Sequence, residues 1–418
     1  MNKLLPFYQD HVQHVLLPFW MRALDDKHGG VYTCFNNIGN ELIGTDKYTW
    51  SQGRFIWLLA KLSNLCSKGL LQGDADFYLQ HARKTVDFLQ QHVFMENGNC
   101  AYVLSESGEK KELAAGEGYD TSFYADCFVV LGFAQYAVTA HDSEVLKAAL
   151  RLYHRIDERL ADGDIRSEPY PIPDGYKAHS VSMIMLNVSQ ELADALEVFH
   201  HEEASEIRRK SSTYMDEIME CFLDSDGLIR EMLPANPSDS DTLLSTHITP
   251  GHSLECMWFV MHEAGKLGRT ELIPEAIQAV KRAVQLGWDS EFGGLFRYVD
   301  RKGEAPQGRK AGGRYEGLVC DTWDMKIWWP HSEALYVLLL AHKLTGDTEC
   351  LEKYEQMHDY VFRTFPNSDP SIGEWVQIRN RRGDPVQKTV ALPVKDPYHI
   401  MRNALLIIEL LSDESVNK

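Results

Sequence analysis

Paired cysteines are missing from this chain. Its eight cysteines (Cys34, Cys66, Cys100, Cys127, Cys221, Cys256, Cys320 and Cys350) are scattered, with no Cys-x-x-Cys run. A disulfide framework or a zinc knuckle normally shows tighter spacing, so a reducing compartment, the cytoplasm, is expected. The N-terminal MNKLLPFYQDHVQHV turns polar too soon for a secretory signal. No stretch has about 18 uninterrupted apolar residues, which argues against a membrane partner. Positive charge is in short supply: 42 Lys and Arg stand against 61 Asp and Glu, a net charge of −19. Such a surface repels phosphate backbones and argues against nucleic acid. No GxGxxG, GxxxxGK[ST] or HExxH run is present, and no His, Asp and Glu group has metal-ligand spacing. Neither a metal nor a nucleotide cofactor is expected.

What the chain does have is a repeat. Short glycine motifs recur as HGGVYTC at Gly30, NGNCAYVL at Gly98, DGDIRS at Gly163, DGLIREM at Gly227, FGGLFRYV at Gly294 and IGEWVQI at Gly373. Successive glycines are 64 to 79 residues apart. Most continue into a second polar turn, as in SESGEK and DRKGEA, which reads as a short hairpin. Between the motifs lie pairs of segments with apolar residues at helical spacing, twelve in all, from LLPFWMRAL to HIMRNALLIIELL. Six units of two helices predict an all-α (α/α)6 barrel over residues 1–418, one domain, with short β-hairpins at one end. SFYADCFVVLGF and SEALYVLLLAHKL are apolar nearly all round and are expected inside; ASEIRRKSSTYMDEI and CLEKYEQMHDYV, polar on one face, are expected outside.

The residues hardest to explain by packing fall at the starts of the inner helices: Trp50, Gln52 and Arg54; Asp120, Tyr124 and Asp126; His179 and Asn187; His252 and Glu255; Trp328, Trp329, His331 and Glu333; His399 and Arg402. Each has an ordinary reading. Arg54 could be half of a buried ion pair, His252 and Glu255 a hydrogen bond across one helix turn, and the tryptophans core. Their recurrence at one point of the repeat favours a single pocket at one end of a barrel, a usual place for a small ligand. Histidines, carboxylates and arginine suit proton transfer near neutral pH.

Together, and in this order, HGGVYTC, KYTWSQGR, TPGHSLE, KIWWPHSEA and YHIMR resemble the N-acylglucosamine 2-epimerase family over nearly the whole chain. The resemblance implies an (α/α)6 barrel that interconverts C2 epimers of sugars, or aldoses and ketoses, without a metal. It implies catalytic roles for His252, His399, Arg54, Glu255 and Glu333, and substrate contacts from Asn187, and it suggests a homodimer. Trp50, Tyr124, Asp126, Trp328, Trp329 and Arg402 are expected to hold the sugar. The stretch KDPYHIMRN departs from the family's pattern, with Met401 in place of a proline and Asp396–Pro397 in place of Gly–Cys. It leaves N-acyl sugars and unsubstituted mannose, glucose, fructose or cellobiose all open. An inverting glycoside hydrolase built on Asp120, Asp126, Glu255 and Glu333, or a non-catalytic sugar- or protein-binding role, are the other readings.

Overall fold

The computed structural model describes residues 3–413. Twelve long helices form the barrel, numbered here in chain order: α1 (4–21), α2 (Thr49–Ser67), α3 (Ala75–His92), α4 (Phe123–Ala140), α5 (Ser143–Asp162), α6 (His179–Val198), α7 (204–222), α8 (Pro250–Leu267), α9 (Ile273–Gly287), α10 (Trp328–Thr345), α11 (Thr348–Thr364) and α12 (Tyr398–Ser412). The even-numbered helices make the inner ring. Each packs against the next, and α12 returns against α2 to close it. The odd-numbered helices lie outside. One hydrophobic core takes in residues from all twelve, so the (α/α)6 architecture expected from the repeat is the one observed.

Sequence explains the division. Helix α4 is buried on every side, from Phe123 to Ala137. By length and composition it would pass for a membrane span, yet it is a mostly buried inner helix. Outer helices α3, α5 and α11 start on Asp74, Asp142 and Asp347, whose carboxylates accept first-turn amides. Helices α2 and α4 touch through glycines. A Cβ on Gly53 would lie 2.3 Å from the Phe128 carbonyl oxygen, and one on Gly132 would lie 2.3 Å from that of Gly53.

Two sequence expectations are corrected. Helix α1 starts at Leu4, about three turns before LLPFWMRAL. Pro18, which reads as a helix-start residue, lies instead behind a π-helical stretch, His11–Leu16, that widens the ladder ahead of the proline ring. The helix Arg314–Thr322, between α9 and α10, also went unread.

All six repeat glycines adopt positive φ, between 71° and 86°, the conformation that favours glycine. The hairpins are shorter than expected. Lys47–Tyr48 pairs with Val103–Leu104, Tyr176–Ala178 with Met232–Pro234, and Lys326–Ile327 with Ile378–Arg379. Each pairing joins the strand before an inner helix to the strand after the next outer helix. All therefore lie at the end where the inner helices begin.

Candidate active site

At that end a pocket opens over the inner ring. None of the six inner-helix N-caps (Tyr48, Ser122, Ala178, Thr249, Ile327 and Pro397) uses its side chain to cap its helix. Asp396, just before α12, accepts from the Tyr398 amide (2.8 Å), which leaves five positive dipole ends without a side-chain cap at the mouth, a field that favours negative charge.

The pocket is lined by Trp50, Arg54, Tyr124, Asn187, His252, Glu255, Trp328, Trp329, His399 and Arg402. These include most of the residues singled out from sequence. Their spacing along each helix is three or four: Trp50 and Arg54, Tyr124 and Phe128, His252 and Glu255, His399 and Arg402. Such residues share a face.

The residue two positions after a pocket residue turns the other way. Gln52 accepts from the Val31 amide (2.8 Å) and donates to the Val31 carbonyl (2.9 Å). Asp126 accepts from the Cys100 amide (2.7 Å) and is ion-paired with Arg159 of α5. His331 accepts from the Leu295 amide (2.8 Å). Each clasps the hairpin one or two residues beyond a repeat glycine. Asp126 is therefore no substrate ligand: it is wholly buried outside the pocket, and a sequence reading that groups it with Tyr124 overlooks the half turn between them. Asp120 likewise accepts from Asn99 on the surface side (2.6 Å).

His399 is the most constrained group. Its Nδ1 lies 2.7 Å from Glu333 Oε1. That carboxylate also accepts from Arg402 Nη2 (2.7 Å), Asn403 Nδ2 (2.8 Å) and Trp258 Nε1 (2.7 Å). Glu333 is thus held as an acceptor, Nδ1 carries the proton, and Nε2 presents its lone pair. Arg402 Nη2 also donates to Glu255 Oε1 (2.6 Å). Arg54, paired with Asp396, reaches His399 Nε2 at 3.4 Å. A contact this long is readily exchanged for a substrate oxygen. Burial, reinforced by the two guanidiniums, lowers the His399 pKa to about 3 against the pull of Glu255, so the ring is neutral.

His252 is the opposite case. Burial pulls its pKa down, but Glu231 and Glu255 outweigh it and leave the pKa raised. Its Nδ1 donates to Glu231 Oε1 at 2.8 Å. Glu231 is buried, yet the charges of His252, His179 and His247 and the His252 hydrogen bond bring its pKa to about 2. Trp329 packs against both histidines, its ring 5.2 Å from that of His252 and 5.7 Å from that of His399. Gly251 makes room for the indole: a Cβ there would lie 2.4 Å from it. One neutral imidazole and one that favours its proton, brought into one pocket beside an aromatic platform, can remove a proton from a carbon and return one.

Glu231 was missed from sequence. Its signal was its place in DGLIREM, where Met232 opens a strand paired to the start of α6. Among the described residues, three carboxylate–histidine clusters have ligand atoms within 4.8 Å of one another, a proximity that linear spacing did not reveal. In the cluster Glu255, Glu333 and His399, Arg402 already bridges the two carboxylates, and in the cluster Asp25, His28 and Glu106, Lys47 is bonded to Asp25. The third is His179, Glu231 and His252.

The comparisons agree with this architecture. The family model for N-acylglucosamine 2-epimerase (GlcNAc 2-epimerase) matches residues 30–403. The N-acylglucosamine 2-epimerase of Mus musculus is 25% identical over 95% of this chain and 89% of its own length. The cellobiose 2-epimerase structure from Spirochaeta thermophila superposes with a TM-score of 0.76 at 16% identity, covering 100% of this chain and 98% of that one. A D-mannose isomerase structure superposes with a TM-score of 0.75 at 17% identity, covering 97% of each. With a family match that spans both histidines and the inner ring as far as the start of α12, this chain belongs to the N-acylglucosamine 2-epimerase family.

Proposed function

We propose that this enzyme is a sugar 2-epimerase that inverts C2 by moving a proton between His399 and His252, with N-acylglucosamine and N-acylmannosamine as the leading substrate pair. The observation that carries this reading is a pair of imidazoles lining one pocket against Trp329, each held through Nδ1 by a buried glutamate, Glu333 for His399 and Glu231 for His252.

The open-chain sugar places its C1 carbonyl next to C2, which acidifies the C2 proton. His399 Nε2 takes that proton, and the C–H electron pair moves toward the carbonyl to give an enolate at O1, which is an enediolate where C2 carries a hydroxyl. Arg54 donates to the enolate oxygen, a preorganised term that is usually large. His252 Nε2 then gives its proton to the other face of C2, and the carbonyl reforms. Glu333 and Glu231 act through the histidines: the first holds a neutral base, the second a charged acid. The reverse reaction needs the protons the other way round, so the resting enzyme is poised for one direction.

Glu255 and Arg402 position His399, while Asn187, Tyr124, Trp50, Trp328 and Trp329 contact the sugar. No metal takes part in this scheme. Protonation at C1 in place of C2 would give a ketose. That second reading is favoured by the departure in KDPYHIMRN, since D-mannose isomerase is among the proteins sharing this fold. The hydrolase reading lacks its carboxylates: Asp120 and Asp126 lie outside the pocket, and Glu255 and Glu333 share the Arg402 guanidinium.

The continuous core supports one catalytic domain. Eight free thiols support a reducing setting, the cytoplasm. A homodimer is part of the same proposal, tested by light scattering.

Proton NMR in D₂O tests the chemistry. The enzyme is incubated separately with N-acetylmannosamine, N-acetylglucosamine, mannose, glucose, fructose and cellobiose. Loss of a C2 proton signal with appearance of the epimer supports the reading. Formation of a ketose selects the isomerase. Release of a new reducing end without exchange would overturn both.

A further inference from the structure

Three arginines line the pocket, and two have carboxylate partners: Arg54 has Asp396, and Arg402 has Glu255 and Glu333. Arg297, from the FGGLFRYV motif, has none in ion-pair contact among the described residues. Its partners are neutral: Nη1 donates to Thr322 Oγ1 (3.0 Å), and Nη2 to Tyr170 OH (3.3 Å) and the Val390 carbonyl (3.2 Å). Its Nε has no partner, and the residue is only 2% exposed. Tyr170, Tyr298 and Tyr315 surround it. Burial raises all three phenol pKa values, so none supplies a negative charge.

A buried cation without a counter-ion is costly, and one that faces a ligand pocket invites the ligand to supply the charge. The pocket's surplus negative charge lies elsewhere, where two carboxylates share the Arg402 guanidinium. An anionic substituent is thus drawn to Arg297 and repelled from the corner beside His399. We infer that the substrate of this enzyme is an anionic derivative of such a sugar, carrying an oxyanion group (carboxylate, phosphate or sulfonate) that docks on Arg297 and sets which way round the sugar lies against the histidines. This rests on the sugar-epimerase reading for the identity of the ligand, but its test is a binding measurement that needs no turnover.

Isothermal titration compares neutral and anionic members of matched pairs: glucose with glucuronate, glucose with glucose 6-phosphate, and N-acetylmannosamine with its 6-phosphate. The wild type is expected to bind at least one anionic member about tenfold or more tightly than its neutral partner, the size of one charge-assisted hydrogen bond. Arg297→Gln should erase that preference while binding of the neutral sugar changes much less, and Arg297→Lys should keep part of it. Circular dichroism checks that both variants fold. Whether carboxylate, phosphate or sulfonate is the native group follows from which pair discriminates most, with sulfoquinovose against glucose as the sulfonate arm. Equal affinity within every pair, or an equal loss for both members in Arg297→Gln, would overturn the inference and leave Arg297 a clasp on Tyr170 and Val390. Failure of the epimerase reading reads differently: anionic sugars bind through Arg297, yet no C2 proton exchanges.

Discussion

Replacing Glu231 by Gln removes the negative charge that sustains the proton on His252 and changes little else. The amide oxygen can still accept from Nδ1 across the 2.8 Å contact. The new NH₂ replaces Glu231 Oε2, which has no partner, and lies in a cluster with His179, whose ring nitrogens are also unpartnered. A hydrogen bond to a charged group contributes about 1.5–3 kcal/mol against about 1 kcal/mol for a neutral one, and one pKa unit is about 1.4 kcal/mol. The His252 pKa should therefore fall by about one unit, because burial then works against Glu255 alone. The assay is a pair of titrations: the His252 ring protons followed by NMR against pH, and kcat/KM against pH. In the wild type, activity in the direction that uses His252 as acid should fall as pH rises through its raised pKa; in the variant, that limb should move to lower pH by the same interval as the NMR titration. A variant whose activity drops uniformly at every pH, with the His252 titration unmoved, would refute the assignment of Glu231 as the group that tunes the acid.

Asp126→Ala should cost about 3–5 kcal/mol of stability by leaving the buried Arg159 with only the distant, half-exposed Asp164 carboxylate at 3.8 Å, with no change in KM for the enzyme that folds; denaturant unfolding and steady-state kinetics check both. Dialysis against a chelator should leave turnover unchanged, whereas excess Zn²⁺ should inhibit through His179, Glu231 and His252, and His179→Ala should relieve that inhibition. Stability should fall with acid. His331 and His399 have pKa values near 3 in the folded protein against 6.5 when unfolded, so the unfolded chain binds more protons between these values. Each should cost about 2 kcal/mol between pH 7 and pH 5, measurable by urea unfolding, with no loss from these groups between pH 7 and pH 9.

Sequence carried the architecture well because its signals are local. Positive-φ glycines and apolar residues at helical spacing depend on near neighbours, and both recur six times. The N-terminal boundary was hidden because Pro18 looks like a helix start, and only the π-helical turn before it lets the helix run on from Leu4. In the site, residues three or four apart on an inner helix were placed correctly in the pocket. Asp126 was not, because proximity in sequence was allowed to stand for a shared face. Glu231 and Arg297 had no signal beyond their places in DGLIREM and FGGLFRYV. Both sit on hairpins, where facing depends on strand pairing across 50 or more residues, and each matters only through what the fold puts beside it.

Two histidines serving opposite faces of one carbon are the centre of the proposed mechanism. Deuterium exchange at C2 should be followed in D₂O for His252→Asn and His399→Asn, each with both epimers of whichever sugar the wild type converts. Each variant should exchange one epimer and not the other, with neither producing the opposite epimer at more than about 1% of the wild-type rate. Near-normal epimerisation by either variant, or exchange of both epimers by both variants, would contradict it.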